Sequence, residues 1–182
     1  MLAEKCKVAV FVSGGGTNLQ AILDSRGEII KNAEICLVAS NNKDAYALER
    51  AKKHDIETFI IEDEQRLVEK LKSLEIDFIV LAGYLRILSE DFCKLYSNRM
   101  INVHPSLIPS FCGKGFYGLK VHEKALEYGV KVSGATVHFV NEIPDGGKII
   151  DQKAVRVHEG DTAEDLQKRV MAEAEHIILP QA

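Results

Sequence analysis

The chain is short of positive charge. Across 182 residues, 23 Lys and Arg stand against 27 Asp and Glu, a formal net charge of -4. That balance excludes a generally basic nucleic-acid binder and leaves room only for a local basic patch. No apolar run reaches transmembrane length, which excludes an integral helical membrane protein. Met1 to Lys7 carries charge and leads into too few apolar residues for a secretory signal. Cys6, Cys36, Cys93 and Cys112 stand far apart with no C-x-x-C pair, so neither a disulfide framework nor a cysteine metal site is indicated, and a reducing cytoplasm is the expected location. HExxH is absent, and His122-Glu123 and His158-Glu159 lack a matching third ligand, so no metal is expected. Internal repeats, low-complexity stretches and linkers rich in Pro, Gly or Ser are also missing.

What is present is the composition of an ordinary globular protein, 46% hydrophobic and 27% charged. At this length about 70% of the unfolded chain's surface can be buried, so a single domain over 1–182 is expected without a covalent or metal staple. Short apolar runs alternate with amphipathic segments. Val8–Val12, Ile35–Ala39, Phe59–Ile61 and Phe78–Ala82 suit parallel strands covered on both faces. Between them, Thr17 and Gln20 form a candidate capping box before Leu19, Ile22 and Leu23. Ala45, Leu48 and Ala51 line a second helix, and Leu67, Leu71 and Leu74 a third over Glu62 to Leu74. Right-handed crossovers turn this βαβαβαβ order into an open, doubly wound, mostly parallel α/β sheet, Rossmann-like, with helices on both faces and ligands at the carboxyl ends of the strands. The second half reads as a strand over Met100–His104, a long loop from Pro105 to Gly118, a helix over Val121–Tyr128, strands over Val132–Val140 and Ile149–Val157, and one final helix from Asp161 to Leu179.

Ser13-Gly14-Gly15-Gly16-Thr17-Asn18 lies between a strand and a helix start, where glycine lets backbone N–H groups approach an anion and the helix dipole favours negative charge. The dinucleotide fingerprint fails because Leu19 stands where its third glycine belongs, and Ser40-Asn41 replaces the acidic residue that would hold a ribose, so NAD is not expected. A phosphate monoester site and a plain structural turn remain as readings. Asn102 and His104 sit two apart on one strand and face the same way, at the end where a ligand should lie. Two polar groups on one face of a central strand are either chemical or a hydrogen-bonded core pair. Asp145, in a Pro-Asp-Gly turn, reads as a turn former, Arg86 as a ligand contact or a surface residue, and Cys112 as a bystander thiol.

Taken together, Ser13-Gly14-Gly15-Gly16-Thr17-Asn18-Leu19-Gln20, Ala82-Gly83-Tyr84-Leu85-Arg86-Ile87-Leu88, Asn102-Val103-His104-Pro105-Ser106-Leu107-Ile108-Pro109 and Asp145-Gly146-Gly147 resemble the phosphoribosylglycinamide formyltransferases, also called glycinamide ribonucleotide transformylases, of the formyltransferase family. The resemblance runs from about Val8 to Pro180 with the motifs in order. It implies a formyltransferase fold, with a phosphate-binding half over about 1–100 and a catalytic and folate-binding half over about 101–182. It also implies formyl transfer from 10-formyltetrahydrofolate, as co-substrate, to the amine of 5-phosphoribosylglycinamide in purine biosynthesis. Catalytic roles fall on Asn102, His104 and Asp145, with Asn102 and His104 stabilising the oxyanion and Asp145 raising the His104 pKa. Gly15, Gly16, Thr17 and Asn18 match the phosphate site. Glu175, before His176, matches a ribose contact, at an interval from Arg169-Val170 one residue longer than usual. Leu85, Arg86, Ile87, Leu88, Asn102, Val140, Asn141 and Asp145 match the folate site, with Arg66 standing in for an arginine in a segment that departs from the family pattern. The Cys112–Gly118 loop is longer than in many members, and the chain stops earlier than members usually do. Small-molecule partners only, with neither nucleic acid nor membrane, and a monomer or homodimer are expected. A 10-formyltetrahydrofolate hydrolase and a non-catalytic phosphometabolite-binding module are the competing readings.

Overall fold

The computed structural model describes residues 5–182. Seven strands form one sheet: β1 (Cys6–Val12), β2 (Ala33–Ser40), β3 (Glu57–Ile60), β4 (Phe78–Leu81), β5 (Met100–His104), β6 (Val132–Phe139) and β7 (Ile149–Arg156). Their order across the sheet is β3-β2-β1-β4-β5-β6-β7. The first five run parallel, and β6 and β7 add antiparallel to the β5 edge. The chain therefore walks outward from β1 to β3, then restarts on the other side of β1 with β4. That reversal opens a crevice between the carboxyl ends of β1 and β4, where Ser13 N–H donates to the Gly83 carbonyl at 3.2 Å.

The helices are α1 (Thr17–Asp24), α2 (Tyr46–Lys53), α3 (Glu64–Ser73), α4 (Glu90–Leu95), α5 (Leu119–Tyr128), α6 (Ala163–Val170) and α7 (His176–Gln181). Alternation along the strands sends side chains to two cores. Val8, Val10 and Val12 of β1 pack with Leu19, Leu48, Ala125, Leu166 and Ile178 from α1, α2, α5, α6 and α7. Ala9 and Phe11 pack on the opposite face with Leu67 and Leu71 of α3 and Phe92 and Cys93 of α4. The doubly wound architecture expected from the apolar runs is the one observed.

Three local expectations are corrected. Thr17 does not cap α1; it is the first helical residue, Gly16 holds the cap position at φ 73°, and the Thr17 hydroxyl lies 3.1 Å from the Met171 sulfur. The third helix starts at Glu64, because the Asp63 side chain accepts from Arg66 N–H at 2.8 Å and stops the helix there. Helix α4 was not expected at all: six residues with two buried side chains carry too little periodicity to read.

The last helix is also not one uniform α-helix. Met171–Glu175 forms a π turn between α6 and α7. A π turn takes one residue more than the α-helix around it, and Glu175 is its last residue.

Candidate active site

The glycine loop is bolted down through its carbonyls. Gly14 accepts from Ala47 N–H at 3.1 Å, Gly15 from Arg50 Nε at 2.8 Å, and Gly16 from Gln20 N–H at 2.9 Å. With the carbonyls so engaged, what the loop and the start of α1 offer the cavity is N–H. Gly16 is required twice over: φ is positive, and a Cβ there would meet the Ala47 Cβ at 2.6 Å and its Cα at 2.8 Å.

At the carboxyl end of β5, four side chains converge. The β5–β6 register sets Asn102 opposite His138 and His104 opposite Thr136. Asn102 Nδ2 lies 3.1 Å from His138 Nε2, while His138 Nδ1–H donates to the Phe139 carbonyl at 2.8 Å. That pairing leaves Nε2 as the acceptor of an Asn102 N–H. Asp145 reaches in from the turn after β6, with Oδ2 3.5 Å from His104 Nδ1 and Oδ1 3.6 Å from His138 Nε2. Gly113 N–H donates to Asp145 Oδ2 at 2.8 Å, and His104 Nε2–H donates to the Phe111 carbonyl at 2.9 Å. The long loop therefore holds both members of the imidazole–carboxylate pair. Asp145 itself adopts φ 56°, a left-handed conformation that Asp tolerates better than most residues.

The electrostatics act on His104 in two directions. Burial pushes His104 below its ordinary value; Asp145 and the Phe111 carbonyl act upward without offsetting it, and His138 adds to the lowering. Asp145 thus works in the expected direction, yet His104 is neutral near pH 7 in the free site. Burial also opposes ionisation of Asp145, but the imidazoles of His138 and His104, where protonated, and the Gly113 N–H outweigh it, and its carboxyl titrates below the usual range.

Both features open on one cavity of about 520 Å³, lined at one end by Gly14 to Asn18 and Glu175 and at the other by Tyr84 to Ile87. A smaller hollow of about 120 Å³ adjoins it, sharing Tyr84, Arg86, Ile87, Asn102, Pro144 and Asp145, and adding Leu88, Val140 and Asn141. Asn102, His104 and Asp145 also line the main cavity. Glu175 is buried, accepts from Asn18 Nδ2 at 2.6 Å, and is pushed upward in pKa by burial despite that bond. Among the described residues, the buried side chains with unpartnered polar atoms are Asn18, Tyr84, His122 and His176, and the first three line this cavity.

Every expected site residue but one borders these hollows. Arg66 does not: on α3 it pairs with Glu62 at 2.6 Å, two-thirds exposed and outside both linings. Its position in the first turn of α3 commits it to the acidic residues that start that helix. The residues missed are His138 and His122. His138 carries a readable signal: on an alternating strand paired antiparallel to β5, its position falls opposite Asn102.

Fold and cavity together define an α/β pocket that sets an imidazole–carboxylate pair and a loop of backbone N–H groups on one cavity. Residues 6–182 match the formyl transferase family, and the chain belongs to it. It is 40% identical over 185 residues to phosphoribosylglycinamide formyltransferase of Haemophilus influenzae, covering 96% of this chain and 84% of that protein. It is 41% identical over 177 residues to the chloroplastic phosphoribosylglycinamide formyltransferase of Arabidopsis thaliana, covering 92% of this chain but only 61% of the plant protein. A solved phosphoribosylglycinamide formyltransferase from Anaplasma phagocytophilum superposes with a TM-score of 0.90 at 37% identity, covering 98% of this chain and 84% of that one.

Proposed function

We propose that this protein transfers the formyl group of 10-formyltetrahydrofolate to the amine of 5-phosphoribosylglycinamide. The observation that carries the reading is the placement of Asp145 within 3.5 Å of His104 and 3.6 Å of His138, beside Asn102, in the cavity that also contains the Gly14–Asn18 loop. In this reading the loop N–H groups and the start of α1 hold the phosphate, and Glu175 with Asn18 takes the ribose. The folate lies along Leu85 to Leu88 and in the hollow beside Val140 and Asn141. Leu85 and Ile87 are 60% and 67% exposed at its edge, an apolar surface suited to a flat ring. The orphaned Tyr84 hydroxyl in the shared wall offers that side a further hydrogen bond.

The amine must be neutral to attack, and attack places negative charge on the formyl oxygen. Asn102 Nδ2 carries two hydrogens, of which one points to His138 and the other serves that oxygen. One such donor in a water-poor pocket is worth about 3 kcal/mol, or two decades in rate. His104, neutral beforehand, takes up the proton that the amine releases, and Asp145 stabilises the imidazolium so formed. That proton then passes to the departing nitrogen. No step needs basic surface charge, since the phosphate is met by backbone dipoles.

The test is release of tetrahydrofolate from 10-formyltetrahydrofolate with and without the ribonucleotide acceptor. Turnover only when the acceptor is present is the expected result. Release without acceptor makes the protein a hydrolase, and binding without release makes it a phosphometabolite-binding module.

A further inference from the structure

His122 is the largest unexplained cost in the free molecule. It lies in the first turn of α5, is 0% exposed, and has no hydrogen-bond partner for either ring nitrogen. Buried polar groups are nearly always paired, and one left unpaired costs on the order of 1–3 kcal/mol. A helix residue selected for packing alone would be apolar, as its neighbours Val121 and Ala125 are. The imidazole borders the 520 Å³ cavity together with Val103, His104, Pro105 and Gly118. It is absent from the smaller hollow on the folate side. His122 therefore borders the main cavity beside the proposed proton carrier and takes no part in the smaller hollow.

We infer that His122 is an acceptor-binding residue, whose ring nitrogens hydrogen-bond the uncharged glycinamide arm of the phosphorylated acceptor and aim its amine at the formyl carbon. The inference rests on the function proposed above and extends it to a side chain that no step of the chemistry uses. An amide arm presents both an N–H and a carbonyl, and a neutral imidazole presents one acceptor and one donor to match. Burial pushes His122 down to about 4, a lowering to which His104 adds when protonated, so at neutral pH it is held in that neutral form. A cationic residue here would repel the imidazolium that forms on His104.

The experiment compares wild type with His122→Phe, His122→Gln and His122→Asn, measuring kcat, KM for acceptor and KM for folate separately, and thermal stability without ligands. His122→Phe fills the volume but removes both nitrogens. It should raise the acceptor KM about tenfold or more, as expected for two lost hydrogen bonds, with folate KM and kcat within about threefold and thermal stability equal or higher. His122→Gln and His122→Asn place an amide nitrogen near Nε2 or Nδ1, and one of them should recover most of the lost affinity; they also read the inference if the Phe variant does not fold. An unchanged acceptor KM, an equal rise in folate KM, or recovery by neither amide overturns the inference. Wild type without acceptor-dependent turnover instead overturns the proposed function, so the two failures are distinguishable.

Discussion

Replacing Asp145 with Asn removes the charge that the proposed chemistry needs and little else. The amide oxygen still accepts the Gly113 N–H now held at 2.8 Å, so the loop keeps its anchor. What changes is the fate of the His104 proton. In the wild type the imidazolium forms with a carboxylate oxygen 3.5 Å from Nδ1. A full charge pair about 4 Å apart is worth about 4 kcal/mol at an effective dielectric constant of about 20. At about 1.4 kcal/mol per decade, kcat should fall by about three decades, while acceptor binding at the glycine loop is unchanged. Two measurements check the cause as well as the size. NMR titration should move His104 further below its wild-type position, since burial remains and the opposing carboxylate is gone. The pH profile of kcat/KM has a defined sign: the reaction needs His104 neutral at the outset, so activity rises with pH through an acid limb placed below the ordinary imidazole value of 6.5. In the variant that limb moves lower still. A loss of less than tenfold in kcat, or a His104 titration that does not move, refutes the assigned role.

Gly16→Ala should lower stability by about 1–3 kcal/mol, because a positive φ and a 2.6 Å approach to the Ala47 Cβ are both strained; urea melts measure this, and acceptor KM should rise with it. Glu175→Gln should weaken acceptor binding yet stabilise the empty protein above neutral pH. The sign follows from burial holding the carboxyl above its usual pKa: the folded state binds the proton more tightly than the unfolded one, so wild-type stability falls as pH rises through that interval, and the amide has no such loss. Thermal melts at pH 5 and pH 8 should show the gap widen at the higher pH. Deleting Ala172 should convert the π turn to α-helix and leave Glu175 in the cavity, with acceptor KM within a few-fold; a hundredfold loss would show that the turn itself aims Glu175.

The sheet was legible because β1, β2 and β4 are short apolar runs, and such runs have few other uses in a chain of mixed charge. Strand β5 reads off Met100–His104 residue for residue. Glycine, asparagine and histidine at strand ends carried the site, since polar groups there are costly unless used. What stayed hidden depends on contacts distant in sequence. Thr17 and Gln20 have the spacing of a capping box, but Gln20 turns to Asp24 and Arg50, and Gly16 takes the cap. Asp145 lies 41 positions beyond His104, and only the β5–β6 pairing with its following turn brings them together. The net His104 shift was beyond reach for the same reason: its sign is a balance between burial and one carboxylate, and burial exists only in the fold.

The free protein keeps its cavity at a thermodynamic disadvantage. Asn18 Oδ1, the Tyr84 hydroxyl and both nitrogens of His122 are buried there without partners, and Glu175 is held where its charge is disfavoured. Each unpaired group costs on the order of 1–3 kcal/mol, a large share of the stability of a domain this size, which is about 5–15 kcal/mol. Elsewhere the same chain buries Phe11, Leu19, Leu37 and Leu67 completely, and among the described residues His176 alone carries such an orphan away from this cavity. Selection for stability would have replaced these residues with apolar ones of similar volume. On the proposed function their concentration around one cavity has the missing partners arrive with the ligands, so occupancy of this cavity should raise the melting temperature by more than mass action on the phosphate contacts alone would give. Acceptor and inorganic phosphate, compared at equal fractional saturation in a thermal melt, separate the two contributions. If both raise the melting temperature equally, the orphaned groups are satisfied by water in the free protein and have no part in recognition.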